Sequence, residues 1–172
     1  MRRLLAFAVF FALLPAAHAQ TTSTTIIVVR HAEAVADGSR DPMLAPEGQA
    51  RAQTLAEVLA DAGVSAVYAT QYRRTQLTGA PTAAAAGVTV TVRPIAGPLE
   101  PYVDALVAHV LSTHPGQTVL IVGHSNTAPE VVKGFSGSDP GEIAHEDYGN
   151  VYVIMSDGRP GQGRVIRARY GA

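Results

Sequence analysis

Two short runs, Ile26-Ile27-Val28-Val29 and Val119-Leu120-Ile121-Val122, constrain the fold of this chain more than any other feature. Both are wholly apolar and mostly β-branched, and neither alternates with polar positions. A strand of that pattern is covered on both faces, as are the inner strands of a parallel sheet. The first run stops at Arg30-His31 and the second at Gly123-His124. In open α/β sheets ligands gather at the carboxyl ends of strands. Both histidines therefore fall where a site is expected.

The remaining elements fill in the layers around such a sheet. Val64 to Ala69 reads as a second strand, and Val88, Val90 and Val92, alternating with threonines, as a third strand nearer an edge. Pro46 suits the first turn of a helix carrying Leu55, Val58, Leu59 and Ala62 on one side and closed by Gly63. Thr75 to Ala86 reads as an alanine-rich helix, interrupted or started at Pro81. Leu99, Tyr102, Val103, Leu106, Val107, Val110 and Leu111 form the clearest amphipathic stripe, ended by Pro115-Gly116. Asn126 to Phe135 reads as a further helix. Val151 to Met155 turns through Asp157-Gly158 toward Val165 to Arg169 as an antiparallel hairpin. Strands alternating with helices predict an α/β fold, a three-layer α/β/α sandwich with a mostly parallel central sheet.

At 172 residues, 47% apolar and 16% charged, the chain has room for one domain, spanning 26–172. The start reads differently. Arg2 and Arg3 precede an apolar run from Leu4 to Leu14, followed by Pro15 and by Ala17-His18-Ala19. That order predicts a secretory signal peptide over 1–19, cleaved before Gln20, and a protein exported to the periplasm or beyond the cell. The run is short of the roughly 20 apolar residues needed to cross a bilayer, so no membrane anchor is expected after cleavage. Residues 20–25, a Ser/Thr tract, read as a disordered lead. Losing Arg2 and Arg3 takes the 13 basic residues to 11 against 14 acidic, a net charge of −3. Such a balance offers no basic stripe for nucleic acid. The chain has no cysteine, hence no disulfide, thiolate metal site or thiol nucleophile. His109 and His114 lack metal-ligand spacing, and His145, amid Glu146 and Asp147, reads as a loop residue.

An arginine and a histidine at a strand end can hold a phosphoryl group. Neutral imidazole is a competent nucleophile toward phosphorus, and the planar guanidinium matches phosphate oxygens. Val29-Arg30-His31-Ala32-Glu33 resembles the Arg-His-Gly or Arg-His-Ala signature of the histidine phosphatase superfamily. Val67-Tyr68-Ala69-Thr70-Gln71-Tyr72-Arg73-Arg74-Thr75 resembles that family's second block, which makes Arg74, not Arg73, the second phosphate ligand. Val119 to Asn126 resembles the third block and supplies His124. The resemblance implies a phosphoglycerate mutase-like fold and a two-step reaction needing no metal or cofactor. His31 attacks phosphorus, a phosphohistidine forms, and water hydrolyses it, while Arg30, Arg74 and His124 hold the oxygens. Asn126 adds a donor to the phosphate or caps the following helix. Thr70-Gln71 replaces the usual Ser-Pro, and Leu77 stands where glutamine is common; both departures are expected to alter the pocket's shape more than its charge.

An ordinary phosphate ester also needs a proton for its leaving oxygen. Glu100, ahead of the amphipathic helix, sits where the resemblance places an acid, and Asp104 and Glu33 are further candidates. Without such an acid, substrates with good leaving groups, such as a phosphohistidine on a protein, are expected. The compact chain resembles the small phosphohistidine phosphatases and lacks the insertions of mutases and phytases. Its substrate is then a small phosphate ester or a phosphoprotein. Two other readings compete: a phosphate-binding module without catalysis, and a serine hydrolase using Ser125 in Gly123-His124-Ser125, although Thr127 replaces the glycine that a nucleophile elbow requires.

Overall fold

A computed structural model describes residues 23–171. The expected signal peptide and the first residues of the expected lead lie outside the described residues. Ten elements follow in order: β1 (Thr24–Arg30), α1 (Pro46–Val58), β2 (Val64–Ala69), α2 (Arg73–Ala85), β3 (Val90–Val92), α3 (Leu99–Thr113), β4 (Thr118–Gly123), α4 (Thr127–Ser136), β5 (Asn150–Ser156) and β6 (Arg164–Arg169). The six strands form one sheet in the order β3-β2-β4-β1-β5-β6. β3, β2, β4 and β1 run parallel, whereas β5 pairs antiparallel with both β1 and β6. The parallel character is thus confined to four strands, with the predicted hairpin completing the sheet. β3 is an edge, as its alternating pattern suggested.

The two apolar runs sit side by side, with Ile26 opposite Val119 and Val29 opposite Val122. Successive side chains point to opposite faces. Ile26, Val28, Val119 and Ile121 meet Val103, Leu106, Val110, Val131 and Phe135 of α3 and α4. Ile27, Val29, Leu120 and Val122 meet Leu55, Leu59 and Ala83 on the other face, where α1 and α2 lie. Double coverage explains why neither run has a polar position, and the result is the three-layer sandwich.

Several boundaries depart from expectation. β1 begins at Thr24, so Thr24 and Thr25 belong to the sheet, not to a disordered lead; the Thr24 hydroxyl bridges the 114–116 turn by donating to the His114 carbonyl and accepting from Gly116 N–H. Val58 is 59% exposed, because Ala52, Leu55, Ala56 and Leu59 take the inner face of α1 and its end. α2 starts at Arg73 and continues through Pro81. Proline has no N–H to give the preceding turn. The helix is kept by its buried face of Thr75, Thr78, Gly79, Thr82 and Ala83, packed so closely that a Cβ on Gly79 would meet Val67 at 2.9 Å. Among the described residues, no helix is long and apolar enough to cross a membrane.

Candidate active site

β1 and β4 are neighbours in register, with Arg30 opposite Gly123, so His31 and His124 leave the sheet together at its carboxyl edge. Their rings stand 5.3 Å apart between centroids and meet edge to face. Gly123 is required here. A Cβ on it would lie 2.8 Å from Thr127 Oγ1 and 3.2 Å from the Ala128 nitrogen, so only glycine lets α4 start this close to the strand. The His124 N–H donates to Thr127 Oγ1 at 2.6 Å, which locks the turn. The N-terminus of α4 thereby opens on the same cavity, an arrangement that favours anions.

Each cage residue has its own anchor. Arg30, only 3% exposed, donates through Nη1 to the carbonyls of Ala144 and His145, both at 2.8 Å, and of Asp147 at 3.3 Å. Its guanidinium lies 4.1 Å from the Tyr148 ring centroid. Among the described residues Nε is buried without a hydrogen-bond partner. Burial lowers the Arg30 pKa, and Tyr148 and Asp147 oppose that fall. Arg74, in the first turn of α2, stacks 4.5 Å from the Tyr72 ring centroid and donates to His124 Nδ1 at 3.4 Å. Arg73 turns away to pair with Asp41.

The protonation of both rings follows from their partners. His31 Nδ1 lies 2.8 Å from the Ala32 carbonyl, which can only accept, so Nδ1 carries the proton and Nε2 keeps its lone pair. Burial pulls the His31 pKa down to about 4, with Arg30 and Arg74 adding to the fall against the pull of the Ala32 carbonyl. The ring is neutral at pH 7, as a nucleophile must be. His124 receives from Arg74 at Nδ1, so Nε2 carries its proton and donates to Thr70 Oγ1 at 2.9 Å. Thr70 passes its own proton to Thr75 Oγ1, which donates to the Tyr72 carbonyl. Burial, His31 and the two arginines lower the His124 pKa to about 3.

Arg30, His31, Arg74 and His124 all line one cavity of about 700 Å³, walled also by Val35, Ile95, Leu99 and Asn126. Asn126 precedes α4 in helical conformation and makes no capping hydrogen bond, so of its two expected roles the cap is not realised, and the residue lines the cavity. Ser125 borders the cavity, but its hydroxyl bonds to no histidine among the described residues.

Glu100, the expected acid, is not brought to this cavity. Glu100, in the first turn of α3, and Asp104, one turn on, line an adjoining depression with Glu130 and Lys133, which shares Leu99 and Asn126 with this cavity. Glu33 is also elsewhere: both its oxygens accept from Arg51 Nε at 2.9 Å, and Arg51 in turn holds the Tyr170 carbonyl. Burial would raise the Glu33 carboxyl, but Arg51 outweighs it and holds it below the ordinary range. Leu77 does not shape the pocket either. It packs with Ala32, Leu44 and Ala52 beneath the loop after His31. Gln71 does border the cavity, and its Oε1 accepts from Ile95 N–H to fix the 93–97 segment. Tyr72, Tyr148, the Thr70 relay and the carbonyls of 144–147 were not singled out from sequence. Thr70 carried a signal, as a hydroxyl at a strand end. Among the described residues no three His, Asp or Glu side chains gather as a metal-binding set.

A neutral imidazole, two arginines and a second histidine at the carboxyl edge of an α/β sheet make a site fit to bind and transfer a phosphoryl group, as a phosphatase does. The model of branch 1 of the histidine phosphatase superfamily matches residues 26–95 of this chain. That match contains Arg30, His31 and Arg74, whereas His124 lies outside it and joins them through the fold. The fold is similar to that of the protein histidine phosphatase SixA complexed with tungstate, at 15% identity and TM-score 0.67, covering 84% of this chain and 96% of that one. It is similar to a SixA-type protein of Nakamurella multipartitia at 24% identity and TM-score 0.60, covering 87% and 96%. The mycobacterial glucosyl-3-phosphoglycerate phosphatase shares 13% identity at TM-score 0.66, covering 87% and 99%. These likenesses establish the phosphoglycerate mutase-like fold. No curated protein sequence matches the chain.

Proposed function

We propose that this protein is an exported phosphatase that hydrolyses a phosphomonoester, or a phosphohistidine, through a covalent phosphohistidine on His31. The observation that carries the reading is the tautomer of His31. With Nδ1–H spent on the Ala32 carbonyl, Nε2 is left as an unprotonated nitrogen beside two arginines and His124. Nε2 attacks phosphorus, the bond to the leaving oxygen breaks, and the arginines hold the oxygens as charge shifts. Water then attacks the phosphohistidine and the P–N bond breaks, returning the electron pair to Nε2.

Similar folds carry names that point to phosphohistidine and to glucosyl-3-phosphoglycerate as substrates. The open cavity with Val35, Ile95 and Leu99 on its walls suits either a small ester or the tip of a phosphorylated side chain. Export rests on Arg2-Arg3, the Leu4 to Leu14 run and Ala17-His18-Ala19. The test is to quench turnover of p-nitrophenyl phosphate and look for an acid-labile, alkali-stable phosphoryl group on His31. Its absence from the wild type, or its persistence in His31→Gln, would overturn the mechanism. N-terminal sequencing of the secreted protein should start at Gln20; an intact Met1 would overturn export.

A further inference from the structure

Among the described residues no carboxylate lines the His31 cavity, so the leaving oxygen of an ester bound there must take its proton from another group. Tyr72 and Tyr148, whose rings stack on Arg74 and Arg30, carry phenols, which are weaker acids than an imidazolium, and Thr127 Oγ1 is held by His124 N–H. Ser125 offers a hydroxyl no more acidic than the alcohol it would serve. His145 remains. It lines the rim of the cavity, its side chain is 85% exposed, and Nδ1 lies 3.5 Å from Glu146 Oε1. Its carbonyl accepts from Arg30 Nη1 at 2.8 Å, so the backbone is tied to the phosphate cage and the residue is held at the cavity rim. Imidazole is the side chain suited to give a proton and take it back near neutral pH.

We propose that His145 is the proton donor to the leaving group, an assignment that rests on the phosphohistidine reading above. As His31 Nε2 bonds to phosphorus, the ester P–O bond breaks, and its electron pair on the leaving oxygen takes the proton of the His145 imidazolium, releasing an alcohol. The neutral His145 then accepts a proton from the water that attacks the phosphohistidine. Inorganic phosphate leaves, and both histidines return to their starting states.

Leaving-group dependence tests this assignment. In His145→Gln, kcat/KM for glycerol 2-phosphate should fall roughly 100-fold or more, and that for p-nitrophenyl phosphate by a much smaller factor, because only the alkoxide depends strongly on protonation. Phosphorylation of His31 by p-nitrophenyl phosphate should persist in this variant. Added imidazole should restore alkyl phosphatase activity to His145→Ala, a rescue that a merely structural role would not show. Glu100→Gln should leave both substrates unchanged. Equal losses on the two esters in His145→Gln, no loss on the alkyl ester, or a selective loss in Glu100→Gln would overturn the assignment. Absence of phosphohistidine in the wild type would instead overturn the His31 reading, and this assignment with it.

Discussion

The protein holds two pairs of histidines, and they differ in one respect. His109 and His114 flank Tyr68, whose hydroxyl lies 3.0 Å from one Nε2 and 2.8 Å from the other. His114 Nδ1 donates to Gln117 Oε1 at 2.8 Å, so its Nε2 must accept from Tyr68, and His109 Nε2 donates to the same oxygen. His109 Nδ1 is left to Thr113 Oγ1, at 3.5 Å. Every ring nitrogen of this pair has a partner. In the pair His31 and His124, by contrast, His31 Nε2 has none among the described residues and faces a cavity walled by arginines. Reactivity here is a matter of which nitrogen the fold leaves unbonded, not of having two histidines close together.

The sharpest way to break that comparison is exchange of the nucleophile. His31→Gln should lower turnover of p-nitrophenyl phosphate by roughly 10⁴-fold or more, as loss of a covalent nucleophile does. His109→Gln should leave it within about twofold, since that ring reaches no lining residue. Comparable losses in the two variants would remove the distinction. Next in size, Arg74→Ala should cost roughly 10²- to 10³-fold in kcat, the usual effect of removing one donor to developing charge. The same variant should lose the thermal stabilisation that tungstate or vanadate gives the wild type; retention of the shift would place the anion elsewhere.

A smaller effect concerns pH. The folded pKa values of His31 and His124, about 4 and about 3, lie below the ordinary 6.5. The unfolded chain therefore binds protons first as pH falls. Stability tied to these rings is present above pH 6.5 and is lost progressively toward pH 4 and below. Denaturant titrations at pH 7 and pH 5 should show the drop, and the double variant His31→Gln/His124→Gln should flatten it. An unchanged slope in the double variant would show that these rings are not its source. Smallest of all, Tyr68→Phe should cost about 1 kcal/mol of stability through its lost hydrogen bonds and leave kcat unaltered. A fall in kcat would link the two histidine pairs.

Much of this was legible from the chain. Ile26 to Val29 and Val119 to Val122 announced doubly covered strands because a one-dimensional pattern reports which faces are buried. Arg30, His31 and His124 were readable as strand-end residues, Arg74 was singled out by the family resemblance, and the fold brings all four to one cavity. Glu100, expected as the acid, lies outside the lining of the His31 cavity. The resemblance picked it by its place in the chain, whereas which of two adjoining depressions a residue in the first turn of α3 lines is set by how that helix packs in three dimensions. Val58 was expected on the inner side of α1 but is exposed, because Ala52, Leu55 and Ala56 occupy that face.

By itself, then, the sequence determined the three-layer architecture and the chemical types gathered at the carboxyl edge of the sheet, because strand burial and strand-end position are local properties of the chain. Only the tertiary structure decided the state of each group: that Ala32 claims Nδ1 of His31, that Thr70 claims Nε2 of His124, that the 144–147 carbonyls fix Arg30, and that no carboxylate shares their cavity. Three of these depend on contacts between residues 50 or more positions apart, or on a cavity built from five segments. The Ala32 bond, although local, counts only because burial makes that carbonyl the partner of Nδ1 and leaves Nε2 to the ligand.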